Sequence, residues 1–162
     1  MIVLGIDPGT ANTGYGVVER RLTKMVALDG GVITTSPSEP MEQRLLLIHT
    51  RISELIAEHQ PASVAIEELY FGKNVSSALA VGQARGVVML AAAAHGLTCA
   101  SYTPAQIKGA VCGSGRADKH QVGAMVARLL SLPETPKPDH AADALAAAIC
   151  HAAQVPALAG SR

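Results

Sequence analysis

The chain has 162 residues, 49% of them hydrophobic, and its 13 basic and 13 acidic side chains give a net charge of zero at pH 7. This length and composition predict one folded domain and exclude a disordered chain. The lack of a basic excess argues weakly against a nucleic-acid-binding protein, so local clusters of charge carry more weight than the total.

Three strands are predicted in the first 34 residues. Val/Ile-rich runs over Met1–Asp7 and Gly14–Glu19 are separated by a Pro/Gly/Asn/Thr turn and indicate a hairpin, and Met25–Thr34 indicates a third strand. Because the links between these strands are short, the strands should pair in the antiparallel direction.

From Met41 onward, helical and strand patterns alternate. Apolar residues from Met41 to Ile56 recur at the spacing of an amphipathic helix, which ends before Pro61. The elements predicted after it are a strand over Ser63–Glu68, a helix over Asn74–His95, a strand over Leu97–Ser101, a short helix over Thr103–Gly109, a helix from a cap at Asp118 to about Leu130, and a last helix from Asp139. Because helical crossovers join the later strands, those strands should run parallel.

The fold class predicted from this order is α/β, with a mixed five-stranded sheet of three antiparallel and then parallel strands, flanked by helices. We expect one domain over residues 1–152 and a disordered tail over 153–162. The three cysteines show no CxxC spacing, no secretion signal is recognisable, and the longest apolar run is too short to span a bilayer. These features predict a cytoplasmic protein with reduced thiols and no membrane association.

Three short segments in distant parts of the chain each end an apolar stretch with metal-type ligands: Gly5–Thr10, Ala65–Glu68 and Asp139–Asp143. A carboxylate in such a place is unfavourable unless something uses its charge. Asp7 and Glu67 end predicted strands, and active groups gather at the carboxyl ends of strands in sheets of this kind. Acidic groups that converge from distant segments are typical of a Mg²⁺ or Mn²⁺ site, which predicts metal-assisted phosphoryl chemistry.

The sequence leaves the roles of the two strand-end acids open. Asp7 precedes Pro8-Gly9, and this tripeptide suits a turn as well as a ligand position. Glu67 and Glu68 are adjacent, so they point to opposite faces of their strand. Strand alternation alone does not decide which of the two faces the site.

The last helix supplies the remaining candidates. His140 and Asp143 lie three residues apart and share a helix face, so both can reach one site. Asp139 follows Pro138 directly, which favours an N-cap role over a role as a ligand.

The motifs around these residues resemble the RuvC family of Holliday junction resolvases, in order and with fitting gaps over about residues 1–152. They are Gly5-Ile6-Asp7-Pro8-Gly9, Thr13-Gly14-Tyr15-Gly16, Ala65-Ile66-Glu67, Lys73-Asn74, Gly82-Gln83-Ala84-Arg85-Gly86 and Ala141-Ala142-Asp143-Ala144-Leu145-Ala146. The resemblance implies an RNase H-like fold, a homodimer and RuvA- and RuvB-like branch-migration partners. It also implies two symmetric nicks in four-way DNA junctions during recombination and repair.

The resemblance further implies four catalytic metal-ligand positions, Asp7, Glu67, His140 and Asp143. Many family members are similar but hold Asp where this chain has His140. In a two-ion site, Asp7 would bridge the ions, Glu67 would bind one, and Asp143 with His140 the other. Imidazole suits Mn²⁺ better than Mg²⁺, so we expect His140 to favour Mn²⁺, and its protonation at low pH to reduce activity.

Contacts to junction DNA are predicted first from the segment after the acidic strand. Tyr70 and Phe71 are neighbours there, one suited to core packing and the other to stacking on an unpaired base. By resemblance, Tyr70 occupies the stacking position. Lys73 and Asn74 follow at once and suit phosphate and base contacts.

A second basic cluster surrounds the glycine-rich segment Gly109–Gly115, which we expect to be a mobile loop. It contains Lys108, Arg116, Lys119 and His120. Lys119 lies in the first turn of a predicted helix, where a bound phosphate would offset the unfavourable dipole. Arg85 suits either the DNA or a second subunit, and the sequence favours neither.

Two other functions share these motifs. An actin-like ATPase also places Asp-Pro-Gly-Thr before a hairpin, but it needs a second phosphate loop, and this chain contains none. A non-catalytic junction-binding protein on the same fold would keep the acids only as structural caps. The complete set of four ligand positions favours the nuclease, and metal-dependent cleavage distinguishes the two.

Overall fold

The computed structural model describes residues 1–68 and 75–155 of the chain. Its strands are β1 (Ile2–Asp7), β2 (Asn12–Arg20), β3 (Met25–Thr34), β4 (Ser63–Glu67) and β5 (Cys99–Tyr102). Its helices are α1 (Met41–His59), α2 (Val75–Ala94), α3 (Pro104–Cys112), α4 (Lys119–Leu129) and α5 (Asp139–Gln154).

The five strands form one mixed sheet in the order β3-β2-β1-β4-β5. β1 pairs antiparallel with β2, and β2 pairs antiparallel with β3. β1 and β4 run parallel, as do β4 and β5. The predicted fold class is therefore confirmed, and the carboxyl ends of β1 and β4 lie side by side at one edge of the sheet.

Several element boundaries differ from the sequence prediction by one to three residues. Strand β5 begins at Cys99 rather than Leu97, because the Leu97 N–H donates to the Ala92 carbonyl and closes the end of α2 around Gly96. Helix α3 continues to Cys112 and ends at Gly113, which has a left-handed φ of 75°. The prediction of a loop beginning at Gly109 is therefore wrong for its first four residues.

Helix α5 continues through Gln154 and so includes the first two residues of the tail that we expected to be disordered. The side chain of Arg20 on β2 donates to the carbonyl oxygens of Ala152 and Val155, which holds the C-terminal end of α5 against the sheet. Residues 156–162 lie outside the described part of the chain.

Each face of the sheet packs against its own set of helices. Alternate strand residues divide between two buried clusters, as the period-2 geometry of a strand requires. Ala65 belongs to the cluster formed with α3, α4 and α5, and Ile66 belongs to the cluster formed with α1 and α2. The same alternation places Glu67 on the α5 face and Glu68 on the α2 face, which settles the ambiguity left by the sequence.

Candidate metal centre and substrate groove

Three carboxylates from three elements meet at the carboxyl edge of the sheet. Asp7 ends β1, Glu67 ends β4, and Asp143 lies in the second turn of α5. One oxygen from each lies within 4.8 Å of one oxygen of the other two. Carboxylate oxygens in such a group are the ligands that Mg²⁺ and Mn²⁺ prefer, so the donor set fits a divalent cation.

Glycines in the sheet allow α5 to bring its side chains to this edge. A Cβ added to Gly14 would overlap the carbonyl oxygen of His140, and one added to Gly5 would lie 2.9 Å from the Cβ of Ala148. A strand glycine often marks such a close approach of backbone. This role of the glycines was not predicted from the sequence, although their placement within predicted strands was a usable signal.

The electrostatics of the cluster favour a bound cation. Burial, together with the charges of Asp7 and Asp143, raises the pKa of Glu67 to about 8. Burial likewise raises the pKa of Asp7 above its ordinary value, against the opposing effect of its hydrogen bond with His140. A cation among these oxygens would relieve the repulsion and stabilise their ionised forms.

Lys119 at the start of α4 supplies one positive charge. Its Nζ lies 3.5 Å from Asp143 Oδ2 and 3.6 Å from Asp139 Oδ2. The charge of Asp143 raises the pKa of Lys119 above its ordinary value. These two carboxylates provide the negative charge that the sequence analysis expected from a phosphate beside the N-terminus of α4, and the phosphate contact itself stays a prediction.

The structure places His140 beside Asp7. Its Nδ1 lies 2.7 Å from Asp7 Oδ2, at hydrogen-bonding distance, and the ring donates when Nδ1 carries the proton. The group of mutually close ligand atoms contains the three carboxylates without His140. The role of His140 as a fourth ligand therefore stays a prediction.

The favoured interpretation of Asp139 as the helix cap is wrong. Pro138 is the N-cap residue of α5, and its carbonyl accepts the first hydrogen bond of the helix, from the Ala141 N–H. No side-chain cap hydrogen bond is formed, and the Asp139 side chain is 77% exposed beside Lys119. Since the extended backbone of Pro138 already precedes the helix, Asp139 lies in its first turn, where an acid is favourable to the dipole.

A groove of about 510 Å³ opens over the carboxylates. The turn after β1, the first turns of α2, and the side chains of Lys119 and His140 also line it. A smaller cavity of about 200 Å³ adjoins it, in which Lys108 and Lys119 lie with Glu67 and Asp143. The two lysines thus line the approach to the acidic cluster, as a site for a polyanion requires.

The other described residues that were predicted to contact DNA, Arg85 and Arg116, do not line the groove. Arg116 lines a cavity of about 540 Å³ with Arg128 and Met125, and no described residue lines both this cavity and the groove. Arg85 contacts Ser101 and Glu68 within its own chain. Tyr70, Phe71, Lys73 and Asn74 lie outside the described residues, so their predicted roles are not tested by the structure.

Comparison with known proteins identifies relatives along almost the whole chain. The family model of RuvC, crossover junction endodeoxyribonuclease RuvC, matches residues 3–151. The crossover junction endodeoxyribonuclease RuvC of Desulfitobacterium hafniense (strain DSM 10664 / DCB-2) is 53% identical over 96% of this chain and 94% of its own length. The enzyme of the same name from Moorella thermoacetica is 54% identical over 96% of this chain and 93% of its own.

Two solved structures of Holliday junction resolvases superpose on this chain. T. thermophilus RuvC in complex with Holliday junction substrate superposes with a TM-score of 0.91 at 43% identity, over 94% of this chain and 93% of that one. The yeast mitochondrial Holliday junction resolvase Ydc2 superposes with a TM-score of 0.68 over 93% of this chain and 78% of its own. At 15% identity, the second likeness concerns the fold alone.

Proposed function

Because the chain belongs to the RuvC family, we propose that it is a structure-selective endonuclease that resolves four-way DNA junctions by two symmetric, metal-dependent nicks. The observation that carries this proposal is the group of three carboxylates at the floor of an open groove. The activity for which the family is named, crossover junction endodeoxyribonuclease, and the T. thermophilus RuvC complex with Holliday junction substrate support this substrate class.

Asp7, Glu67 and Asp143 would hold the divalent metal, with His140 as the fourth ligand from the resemblance. Two bound ions would supply an activated water and stabilise the leaving oxygen of an in-line displacement. The protein's own part is to orient these ligands, with Asp7 held by its hydrogen bond to His140. We propose Mn²⁺ as the preferred ion over Mg²⁺, because an imidazole ligand suits Mn²⁺ better.

Junction DNA would lie along the groove with its backbone near the lysines. Lys108 and Lys119 come from α3 and α4 and flank the acidic cluster, so they can neutralise phosphates on either side of the cleaved bond. Tyr70 would stack on an unpaired base, with Phe71, Lys73, Asn74 and Arg116 as further contacts. Binding through such local patches should weaken steeply as salt rises.

Helix α2 offers a surface for a second copy of the chain. It is long and apolar enough to cross a membrane by length and composition, yet only 22% of that stretch is buried within this chain. Leu79 and Leu90 are 65% and 61% exposed, and a Cβ at Gly82 or Gly86 would meet no atom of the described residues within 4 Å. We propose that α2 packs against its copy in a homodimer, which would present two equal active sites to a near-symmetric junction.

Cleavage of a synthetic four-way junction tests the proposal. The junction and a linear duplex of the same sequence are incubated with the protein in Mn²⁺, in Mg²⁺ or in chelator. Paired nicks in the junction alone, lost in chelator and in Asp7→Asn, are expected. Tight junction binding without nicking in either metal would instead indicate the non-catalytic binding protein. The cytoplasmic location is expected from the cysteine pattern and the lack of a recognisable secretion signal, whereas the RuvA- and RuvB-like partners are implied by the family resemblance. Both need separate tests.

A further inference from the structure

Arg85 on α2 connects three elements of the fold close to the acidic cluster. Its Nη2 donates a hydrogen bond to Ser101 Oγ on β5 at 2.6 Å. The same nitrogen lies 3.8 Å from Glu68 Oε1, directly after β4. Its Nε is buried and has no hydrogen-bond partner among the described residues. The side chain therefore turns inward toward its own sheet.

These contacts lie at the point where β4 loses one of its two neighbours. The pairing of β4 with β1 extends to Ile66 opposite Ile6, whereas Glu67 pairs only with Tyr102 on β5. The Glu68 N–H donates to the Tyr102 carbonyl at 2.8 Å and closes this ladder. Among the described residues, β5 is thus the only strand that pairs with β4 beyond Ile66.

Adjacent strand residues point to opposite faces, so the direction of Glu68 fixes that of Glu67. Glu68 faces α2, where Arg85 meets it, and Glu67 faces the other two carboxylates of the cluster. We infer that Arg85 is a positioning residue, which fastens the end of β4 to β5 and thereby holds the Glu67 carboxylate in the metal site. The inference rests on the proposed function, because it concerns the same site.

The chemistry of the side chain supports this assignment over a direct contact with DNA. A guanidinium presents several donors in a rigid fork and can engage a hydroxyl and a carboxylate at once, which a lysine ammonium does less well. Only about a third of the Arg85 side chain is exposed, and its paired nitrogen faces Ser101 and Glu68. Burial of the Arg85 Nε without a hydrogen-bond partner costs free energy. An arginine that served only as a surface charge for DNA would not need to be buried in this way.

The test compares Arg85→Met and Arg85→Lys with Ser101→Ala, which removes the hydrogen bond and leaves the arginine in place. Arg51→Met is the matched control, because Arg51 pairs with Glu54 on the exposed side of α1. Cleavage at saturating junction and Mn²⁺, junction affinity in chelator, oligomeric state and Mn²⁺ affinity by calorimetry are measured for each variant. Hydrogen exchange of the Glu68 amide reports the ladder directly.

We expect Arg85→Met to lower kcat about 10- to 100-fold, since small misplacements of a catalytic group have effects of that size. Mn²⁺ should bind more weakly and the Glu68 amide should exchange faster, with junction affinity changed less than about twofold. Arg85→Lys should restore part of the loss, Ser101→Ala should show a smaller loss of the same kind, and Arg51→Met none.

Three results would overturn the inference. A loss of junction affinity with kcat unchanged would make Arg85 a DNA contact, and a loss of dimer alone would make it an interface residue. Unchanged kcat and Glu68 exchange would remove its role altogether. If Arg85→Met does not fold, Ser101→Ala carries the test. Failure of the wild-type protein to nick the junction would count against the proposed function, while Mn²⁺ affinity and amide exchange would still decide the role of Arg85.

Discussion

Glu67→Gln is expected to stabilise the metal-free protein while abolishing its activity. Burial and the neighbouring carboxylates raise the pKa of Glu67 from 4.5 to about 8. The folded state therefore holds a proton that the unfolded state releases, so ionisation of this group favours unfolding. The penalty is absent below about pH 4.5, grows as pH rises, and is constant above about pH 8. Glutamine keeps the shape and removes the ionisation.

The size of this stabilisation follows from the same shift in the pKa of Glu67. A change from 4.5 to about 8 corresponds to an upper bound of about 5 kcal/mol. Glu67 is partly exposed, and solvent screens part of this penalty, so we expect a gain of about 1–3 kcal/mol for the variant at pH 8. For a chain of this length, such a gain raises Tm by roughly 2–12 °C.

Thermal unfolding in chelator between pH 4 and pH 9 measures this gain. The two proteins should unfold together near pH 4 and diverge as pH rises, and Mn²⁺ should raise the Tm of the wild type much more than that of the variant. Glu134→Gln, in an exposed loop, is the control and should show no such divergence. A variant that is no more stable than the wild type at pH 8, or whose gain does not depend on pH, would refute the electrostatic reasoning.

Gly14→Ala should cost about 1–3 kcal/mol by overpacking and reduce cleavage far more than a folding defect explains, because the new Cβ displaces the His140 backbone. Gly109→Ala, with no atom within 4 Å, is its control, and wild-type activity of a folded Gly14→Ala would contradict this role. Tyr102→Phe removes the partner of the buried His151 Nδ1 and should lower the free energy of unfolding by about 1–3 kcal/mol in denaturant titrations. Burial lowers the pKa of His151 below 6.5. The neutral ring therefore contributes fully to the free energy of unfolding above pH 6.5, and this contribution is lost as pH falls below 6.5. His151→Gln should flatten this decline of stability, whereas His120→Gln should not. His140→Asp should lower the ratio of Mn²⁺- to Mg²⁺-supported cleavage, and an unchanged ratio would exclude His140 as a selective ligand.

The number and direction of the strands could be predicted because they depend on local pattern and link length. Short links require antiparallel pairing of β1, β2 and β3, and helical crossovers require parallel pairing of β4 and β5. Boundaries were less predictable, since they depend on single hydrogen bonds. The Leu97 N–H bonds back to α2, and Pro138 takes the cap position that Asp139 was expected to fill.

The convergence of three acidic segments was predicted from their positions after apolar runs, and the resemblance implied the ligand positions Asp7, Glu67, His140 and Asp143. The structure brings Asp7, Glu67 and Asp143 together. The partners of these acids could not be predicted, because they depend on which face each strand presents. Alternation left Glu67 and Glu68 equivalent until the packing of Ala65 and Ile66 on opposite faces distinguished them. The contacts of Arg85 with β5 and Glu68 depend on which face of β4 Glu68 occupies, so the sequence could not predict them either.

The three carboxylates of the acidic cluster repel one another, and the packing of the surrounding elements holds them together. Raised pKa values at Asp7 and Glu67 mean that burial and mutual repulsion oppose the arrangement. Helix α5 nevertheless carries Asp143 to this edge, because eleven of its sixteen residues are buried and Arg20 holds its far end. Burial of this Ala-rich face stabilises the fold and offsets the unfavourable free energy of bringing the acids together. A metal ion would therefore bind ligands that are already assembled, and its binding should stabilise the fold without reorganising it.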